Sequence, residues 1–172
     1  DGVELGGKFP REANALKATL APFKLDLVGG WYSGGLLVQD ADAEIAALQS
    51  HLNLLKALGS NVFVFAETSN AVHSNRAVPL EGTQRLKSSE WAQFGKRMSD
   101  VADYIAGQGL KFAYHHHLGT VVENQADMDA FIAATSPSVG FALDTGHAAL
   151  GGVKTLDIIA KHPERIAHVH CK

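Results

Sequence analysis

Short apolar segments alternate along the whole chain with longer segments whose apolar residues recur on one helical face. A helical pattern occupies each interval between the six apolar runs, which cover residues 2–5, 24–34, 61–68, 110–117, 139–147 and 166–172. Such an alternation joins parallel strands through right-handed helical crossovers. It therefore predicts an α/β fold with six parallel strands and five intervening helices.

Capping residues indicate where several of these helices begin. Pro10 suits a first helical turn, because the N–H group that proline lacks would be unpaired there. Asp40 and Asn124 precede helical patterns and can accept hydrogen bonds from the first free N–H groups. The helix that follows the polar loop is predicted to begin at Ser88 or Ser89.

Two architectures agree with this order of elements, an open doubly wound sheet and a (β/α)8 barrel. The turn "ELGGKFP" after the first strand has neither a G-x-G-x-x-G nor a Walker A pattern, which argues against a nucleotide-binding open sheet. Polar residues follow nearly every strand, and in a barrel these ends share the face that carries the active site. The barrel interpretation predicts that residues 1–172 form a single incomplete domain that lacks one strand at each end.

Composition and charge restrict the class of partner. The net charge of −3 and the absence of Lys/Arg blocks give no basic surface for nucleic acid or for an anionic membrane. No apolar run is long enough for a membrane span, and the first residues do not resemble a signal peptide. These features predict a cytoplasmic protein with a small-molecule partner. The exposed edges of an incomplete sheet would also favour association into a homo-oligomer.

Three successive strands end in residues that can bind a metal. The first ends in three consecutive histidines, His115, His116 and His117, the next in Asp144, and the last in His170. Neighbouring parallel strands are about 4.8 Å apart, so ligands at matching heights can converge on one cation. Imidazole and carboxylate ligands together favour Mn, Fe, Co or Zn over Ca or Mg. The residue pattern leaves open which of the three histidines is the ligand.

Each of the other polar and aromatic residues at strand ends could belong to the functional site or have an ordinary structural role. Glu67 could act as a general base, accept a hydrogen bond from substrate, or lie at the surface. His147 could contact substrate, cap a helix, or form a hydrogen bond that supports another site residue. His168 has the same strand parity as His170, so it could point into the barrel or be a packed core residue. Trp31, with Tyr32 beside it, could form a wall of the pocket or belong to the core.

The remaining histidines and the single cysteine are expected outside the group of metal ligands. His51 and His162 fall on predicted helices and are expected at the surface, and His73 lies in the long loop, where it could cover the pocket. Cys171 is the only cysteine, which excludes an internal disulfide, and it is expected to be a small strand residue.

Several segments of the chain resemble one enzyme family. The segments "ELGGKFPRE", "GWYSGGLL", "YHHHLGTVVE", "LDTGHAALGG" and "HVHCK" are similar to those of inosose dehydratases, members of the xylose-isomerase-like superfamily of metal-dependent TIM barrels. The likeness extends over essentially the whole chain, from the second barrel strand to the seventh. The "YHHHxGT" segment is its most specific part.

The resemblance implies a ligand set and a cofactor. When the histidine segment is aligned with related enzymes at Gly119, His115 occupies the position of a glutamate ligand. Asp144 and His170 match the second and third ligands. The family's fourth ligand would lie beyond Lys172. A divalent ion is implied, Mn or Co first, with Zn and Mg as alternatives.

The resemblance also implies an activity, the dehydration of 2-keto-myo-inositol, a cyclic polyol ketone, to a trihydroxycyclohexane-dione in inositol catabolism. The candidates for proton transfer are His116, His117, Glu67 and His168. The candidates for substrate binding are Glu4, Trp31 and His147. The alternatives are a sugar or keto-polyol isomerase or epimerase on the same barrel and a non-catalytic metal- or sugar-binding barrel.

Overall fold

A computed structural model describes residues 1–80 and 83–172; residues 81 and 82 of the predicted polar loop lie outside the described residues. The six strands are β1 Gly2–Leu5, β2 Asp26–Gly34, β3 Val62–Glu67, β4 Lys111–His115, β5 Gly140–Asp144 and β6 Ile166–His170. They form one sheet in which each strand pairs in parallel with the next along the chain. The predicted α/β class and the six parallel strands are confirmed.

Helices fill the crossovers, as predicted, and two of the crossovers contain two helices each. The helices are α1 Ala13–Leu20, α2 Ala41–Ala47, α3 Gln49–Ala57, α4 Trp91–Gly107, α5 Gln125–Ala134, α6 Thr145–Gly151 and α7 Thr155–Lys161. Short 3-10 turns cover Ala21–Phe23 and Pro163–Arg165. The segment after β5 differs most from the prediction, because α6 begins directly after Asp144, so that His147 lies on a helix.

Two of the predicted helix starts are confirmed and two are wrong. Asp40 caps α2, and Asn124 opens α5 with a capping box. Pro10 lies before α1, because the Glu12 carboxylate accepts the first free N–H groups of that helix and so fixes its start. Ser88 and Ser89 lie in the turn before α4, which begins at Trp91 without a side-chain cap.

The two faces of the sheet are covered differently. The main core contains residues from the helices and from one face of the strands, including Phe63, Phe65 and Phe141. The opposite face, which we call the inner face, has a small apolar cluster of strand residues only, with Val62, Val64, Ala113 and Ala142 as its buried members. Helices on one face of a parallel sheet are typical of a barrel, whereas a doubly wound sheet has helices on both faces.

The sheet is also strongly curved. In a flat sheet, β1 and β6 would be separated by five strand spacings, or about 24 Å. The Glu4 carboxylate on β1 nevertheless lies 2.9 Å from the His170 ring on β6. The C-terminal ends of the two edge strands therefore approach each other across the inner face, as expected for part of a barrel wall.

The environments of His51 and Cys171 differ from those predicted. His51 is half-buried, because its ring occupies the space left by Gly30, whose carbonyl oxygen is 3.2 Å from the His51 Nε2 atom. Cys171 is exposed and follows β6 instead of lying within it. Among the described residues, no helix has both the length and the apolar character needed to cross a membrane.

Candidate active site

The three predicted metal ligands meet at the C-terminal edge of the inner face. His115, Asp144 and His170 are the last residues of β4, β5 and β6. The His115 Nε2 atom lies 3.3 Å from Asp144 Oδ2 and 3.0 Å from His170 Nδ1. The distance from His170 Nδ1 to Asp144 Oδ2 is 3.5 Å. One imidazole from the histidine run, one carboxylate and a second imidazole thus present their donor atoms to a common point.

The three consecutive histidines have three different environments. His115 points to the common point, whereas the Nε2 atom of His116 accepts a hydrogen bond from the Asp144 backbone N–H at 3.3 Å. His117 Nδ1 donates to the carbonyl oxygen of Leu118 at 2.7 Å. The structure therefore brings His115 to the ligand position, places His116 behind Asp144, and leaves the His117 ring at the pocket wall.

Burial keeps the first two histidines neutral. It lowers the pKa of His115 to about 3, with a further contribution from the neighbouring His170, and it lowers the pKa of His116 to about 4. The neutral ring is the form of histidine that binds a metal. Burial raises the pKa of Asp144, but the hydrogen bond from Lys172 and that from the His147 N–H outweigh this and hold the pKa far below its ordinary value. His115 and His116 are therefore neutral and Asp144 is ionised at neutral pH.

The rings of His117 and His147 are in close contact beside the ligand group, with their planes inclined at 42°. Their ring centroids are 3.7 Å apart, and His147 Nε2 lies 3.9 Å from Asp144 Oδ2. Burial, together with the nearby His117, lowers the pKa of His147 to about 4. His147 forms a second set of possible metal donors with His115 and Asp144. His73, an exposed residue of the long loop, has its ring centroid 4.5 Å from that of His117.

A pocket of about 550 Å³ opens over these side chains. Its wall includes Trp31, whose ring centroid is 5.0 Å from that of His115. Tyr32 points to the helical face instead, where its hydroxyl donates to Glu44 at 2.8 Å. All three predicted substrate-binding residues line the pocket, namely Glu4, Trp31 and His147. The volume is in the range of small-molecule sites.

Glu4 contacts both histidines of β6. Its Oε2 atom accepts from His168 Nε2 at 3.0 Å and from His170 Nε2 at 2.9 Å. Burial raises the pKa of Glu4, but the hydrogen bonds from the two histidines outweigh it and lower the pKa to about 2. The same hydrogen bond raises the pKa of His170. His168 therefore lies on the inner face beside His170, as its strand parity predicted.

Lys172 is a site residue that sequence reasoning missed. Its Nζ atom lies 2.5 Å from Asp144 Oδ2, and its side chain lines the pocket. The sequence contained one usable signal, because Lys172 follows His170 by two residues and extended backbone would place both on one face.

Glu67 lies away from this site. Side chains alternate along β3, with Val62 and Val64 on the inner face and Phe63 and Phe65 in the main core, so Glu67 shares the direction of the phenylalanines. Its carboxylate is buried and accepts from the backbone N–H and the hydroxyl of Ser69. Its predicted role in proton transfer is therefore not supported by its position.

We expect Glu67→Gln to stabilise the protein at neutral pH. Burial raises the pKa of Glu67, so folding favours the protonated carboxyl. This contribution is fully present below the pKa of the unfolded chain and is lost as the pH rises through the raised pKa. Glutamine imitates the protonated form and retains an oxygen that accepts from Ser69.

The measurement is thermal unfolding between about pH 4 and pH 8. The melting temperature of the variant should exceed that of the wild type at the upper end of this range and approach it at the lower end. The exposed Asp103→Asn substitution on α4 is the control for loss of a charge. A variant less stable than the wild type at pH 8 would contradict the expectation.

The chemistry of the donor group fits a divalent transition metal. His115 Nε2, Asp144 Oδ2 and His170 Nδ1 supply two nitrogen donors and one oxygen donor within 3.5 Å of one another. The buried imidazole of His115, whose pKa is lowered, competes poorly for protons and leaves a lone pair for a cation. The side chain of Asp144 is fully buried, so an ion would be bound at the floor of the pocket.

A curved parallel sheet with helices on one face and a polar pocket at its C-terminal edge defines an α/β-barrel protein. The chain belongs to the xylose isomerase-like TIM barrel family, whose family model matches residues 1–172. The predicted fold class is thereby confirmed.

Curated relatives match nearly the whole chain. The rhizopine catabolism protein MocC of Rhizobium meliloti is 40% identical over 99% of the chain, which covers 53% of MocC. An inosose dehydratase of Geobacillus thermodenitrificans is 30% identical over 99% of the chain and 58% of the relative. The chain thus spans about half the length of these relatives. The similarity to inosose dehydratases is confirmed.

A solved structure agrees with the fold assignment. The probable 3-DHS dehydratase AsbF of Bacillus anthracis superposes with a TM-score of 0.67 over 93% of this chain and 54% of its own. The two sequences are 15% identical, so this likeness supports the fold alone.

Proposed function

We propose that this protein is a divalent-metal-dependent hydro-lyase, a cytoplasmic enzyme of inositol catabolism that removes water from 2-keto-myo-inositol to give a trihydroxycyclohexane-dione. The observation that carries the proposal is the convergence of His115, Asp144 and His170 at the floor of a pocket lined by further imidazoles. The relatives named inosose dehydratase support the choice of reaction.

The metal would be held by His115 Nε2, Asp144 Oδ2 and His170 Nδ1, with Mn or Co as the first candidates and Zn or Mg as alternatives. When bound, the ion would polarise the ketone oxygen and stabilise the negative charge that develops when the adjacent carbon loses its proton. Asp144 contributes the negative charge of this ligand set.

His117 is the proposed proton acceptor. Its Nδ1–H donates to the Leu118 carbonyl oxygen, so the lone pair of the neutral ring is on Nε2. The ring lines the pocket, and burial lowers its pKa, which keeps this lone pair available at neutral pH. The adjacent ring of His147, whose centroid is 3.7 Å away, restricts the rotation of His117 and helps to fix the direction of its Nε2 atom.

Lys172 is the proposed proton donor to the departing hydroxyl. Its ammonium lies in the same pocket, and its contact with Asp144 holds it near the ligand group. In the elimination, His117 takes the proton from carbon, a carbon–carbon double bond forms, and the hydroxyl leaves as water with a proton from Lys172. The lone pair of His116 is already used by the Asp144 N–H group, so His116 has no part in this scheme.

The test is an assay of the full protein with Mn²⁺ or Co²⁺ and 2-keto-myo-inositol, run in parallel in H₂O and D₂O, with mass spectrometry of the product. We expect a product that has lost one molecule of water. An isomerase or epimerase would instead return a product of unchanged composition that has gained solvent deuterium. Unchanged substrate in the presence of bound metal would indicate a non-catalytic barrel.

The chain is more similar to MocC than to the inosose dehydratase of Geobacillus thermodenitrificans, so we add a second substrate to the same assay. MocC is named for rhizopine catabolism, so a rhizopine-derived compound is included beside 2-keto-myo-inositol. Faster loss of water from that compound would retain the proposed reaction and change its substrate.

A further inference from the structure

Glu4 joins the two edges of the curved sheet through a single carboxylate oxygen. It lies on β1, whereas His168 and His170 lie on β6, and their Nε2 atoms are 3.0 Å and 2.9 Å from Glu4 Oε2. The two histidines are two residues apart on one strand, so both side chains emerge on the inner face. All three side chains are half-buried.

These contacts determine which ring nitrogen of His170 carries the proton. An ionised carboxylate only accepts hydrogen bonds, so the Nε2 atom of His170 must be protonated to bond Glu4. In the neutral ring the lone pair then lies on Nδ1. That atom is 3.0 Å from His115 Nε2 and 3.5 Å from Asp144 Oδ2, so the lone pair is directed to the proposed ligand group.

We propose that Glu4 is a positioning residue that fixes the tautomer and orientation of His170, so that His170 binds the metal through Nδ1. This differs from the direct substrate contact predicted for Glu4 from the sequence, and it rests on the metal site of the proposed function. A carboxylate that accepts from the outer N–H of a ligating imidazole is a common support for metal sites in proteins. His168, bonded to the same oxygen, restricts the rotation of the Glu4 carboxylate.

The first test measures metal affinity by calorimetry in the full protein, with Mn²⁺ or Co²⁺ as the probe. Altering such a supporting residue typically weakens metal binding by about 10- to 100-fold, and we expect Glu4→Ala to fall in this range. Glu4→Gln should weaken binding less, because its amide oxygen still accepts from His170. Asp157→Asn, an exposed carboxylate on α7, is the matched control and should bind metal as the wild type does.

The second test reads the tautomer without metal or substrate. Nitrogen-15 NMR of the metal-free protein should show His170 protonated on Nε2 in the wild type and a mixture of tautomers in Glu4→Ala, with His170→Gln used to assign the signal. Circular dichroism of each variant checks that it is folded, and Glu4→Leu, which also lacks an acceptor, serves if Glu4→Ala is not.

Three results would overturn the inference. A raised KM with unchanged metal affinity would make Glu4 a substrate-binding residue. Loss of a second equivalent of metal in the Glu4 variants would mean that Glu4, His168 and His170 bind an ion themselves. A neutral wild-type His170 that carries its proton on Nδ1 and not on Nε2 would contradict the hydrogen-bond assignment. Absence of turnover in the wild type, with the expected affinities and tautomer, would overturn the proposed function and leave this inference intact.

Discussion

The Asp144→Asn variant is expected to bind divalent metal at least about 100-fold more weakly than the wild type. Altering a residue that only supports a ligand weakens binding by up to about this factor, so the loss of the ligand itself should cost at least as much. Turnover should fall with it. Asp144 Oδ2 lies within 3.5 Å of both His115 Nε2 and His170 Nδ1, and no other carboxylate oxygen of the described residues makes these two contacts. An amide oxygen retains the shape of the ligand and removes its negative charge.

The fold should survive this substitution. The second carboxylate oxygen of Asp144 caps α6 by accepting from the N–H groups of Gly146 and His147. Asparagine preserves this cap, because its amide oxygen can accept the same hydrogen bonds. Asp144→Ala removes both functions and should be less stable than Asp144→Asn by about 1 kcal/mol.

Calorimetric titration with Mn²⁺ or Co²⁺ and thermal unfolding of the two variants separate these effects. The expected pattern is equal loss of metal binding in both variants and a lower melting temperature only in Asp144→Ala. Wild-type metal affinity in Asp144→Asn would contradict the assignment of Asp144 as a ligand and with it the basis of the proposed reaction.

Removal of the metal by a chelator is expected to abolish dehydration while leaving the protein folded. The main core consists of apolar residues between the helices and the outer face of the sheet, and its large buried side chains include Phe112, Phe131 and Phe141. The ligand group lies on the opposite face, so the core does not depend on it. Structural metal sites behave differently, because their domains unfold when the ion is removed.

The measurement pairs circular dichroism with the product assay before chelation, after chelation, and after Mn²⁺ or Co²⁺ is restored. Activity should disappear and return, and the unfolding transition should remain cooperative in all three states. Asp144→Asn is the control, since its melting temperature should not respond to the chelator. Unfolding of the wild type on chelation would make the metal structural and contradict its catalytic assignment.

The order of elements and the edge that carries the site could be predicted from the sequence for simple physical reasons. Parallel strands connected by helices place all their C-terminal ends at one edge, so residues as distant as His115, Asp144 and His170 were expected to meet there. Two N-caps were also predictable, because Asp40 and Asn124 act through N–H groups only a few residues away.

The directions of individual side chains were harder to predict. All residues of β3 are buried, so this strand lacks the alternation of polar and apolar residues that would have placed Glu67 on the helical face. The histidine run had a related difficulty, because β4 ends at His115 and the sequence does not mark which of the three histidines lies at the height of Asp144 and His170.

The sequence by itself determined the α/β class, the six parallel strands and the group of residues from which the site is built, because hydrophobic periodicity and chain direction are local properties. Only the tertiary structure decided that His115 faces the ligand group, that Lys172 contacts Asp144, and that Glu4 joins His168 and His170. Those contacts depend on the curvature of the sheet, which brings its first and last strands together. Curvature is a collective result of strand twist and of the packing of helices on one face, and no short segment of sequence encodes it.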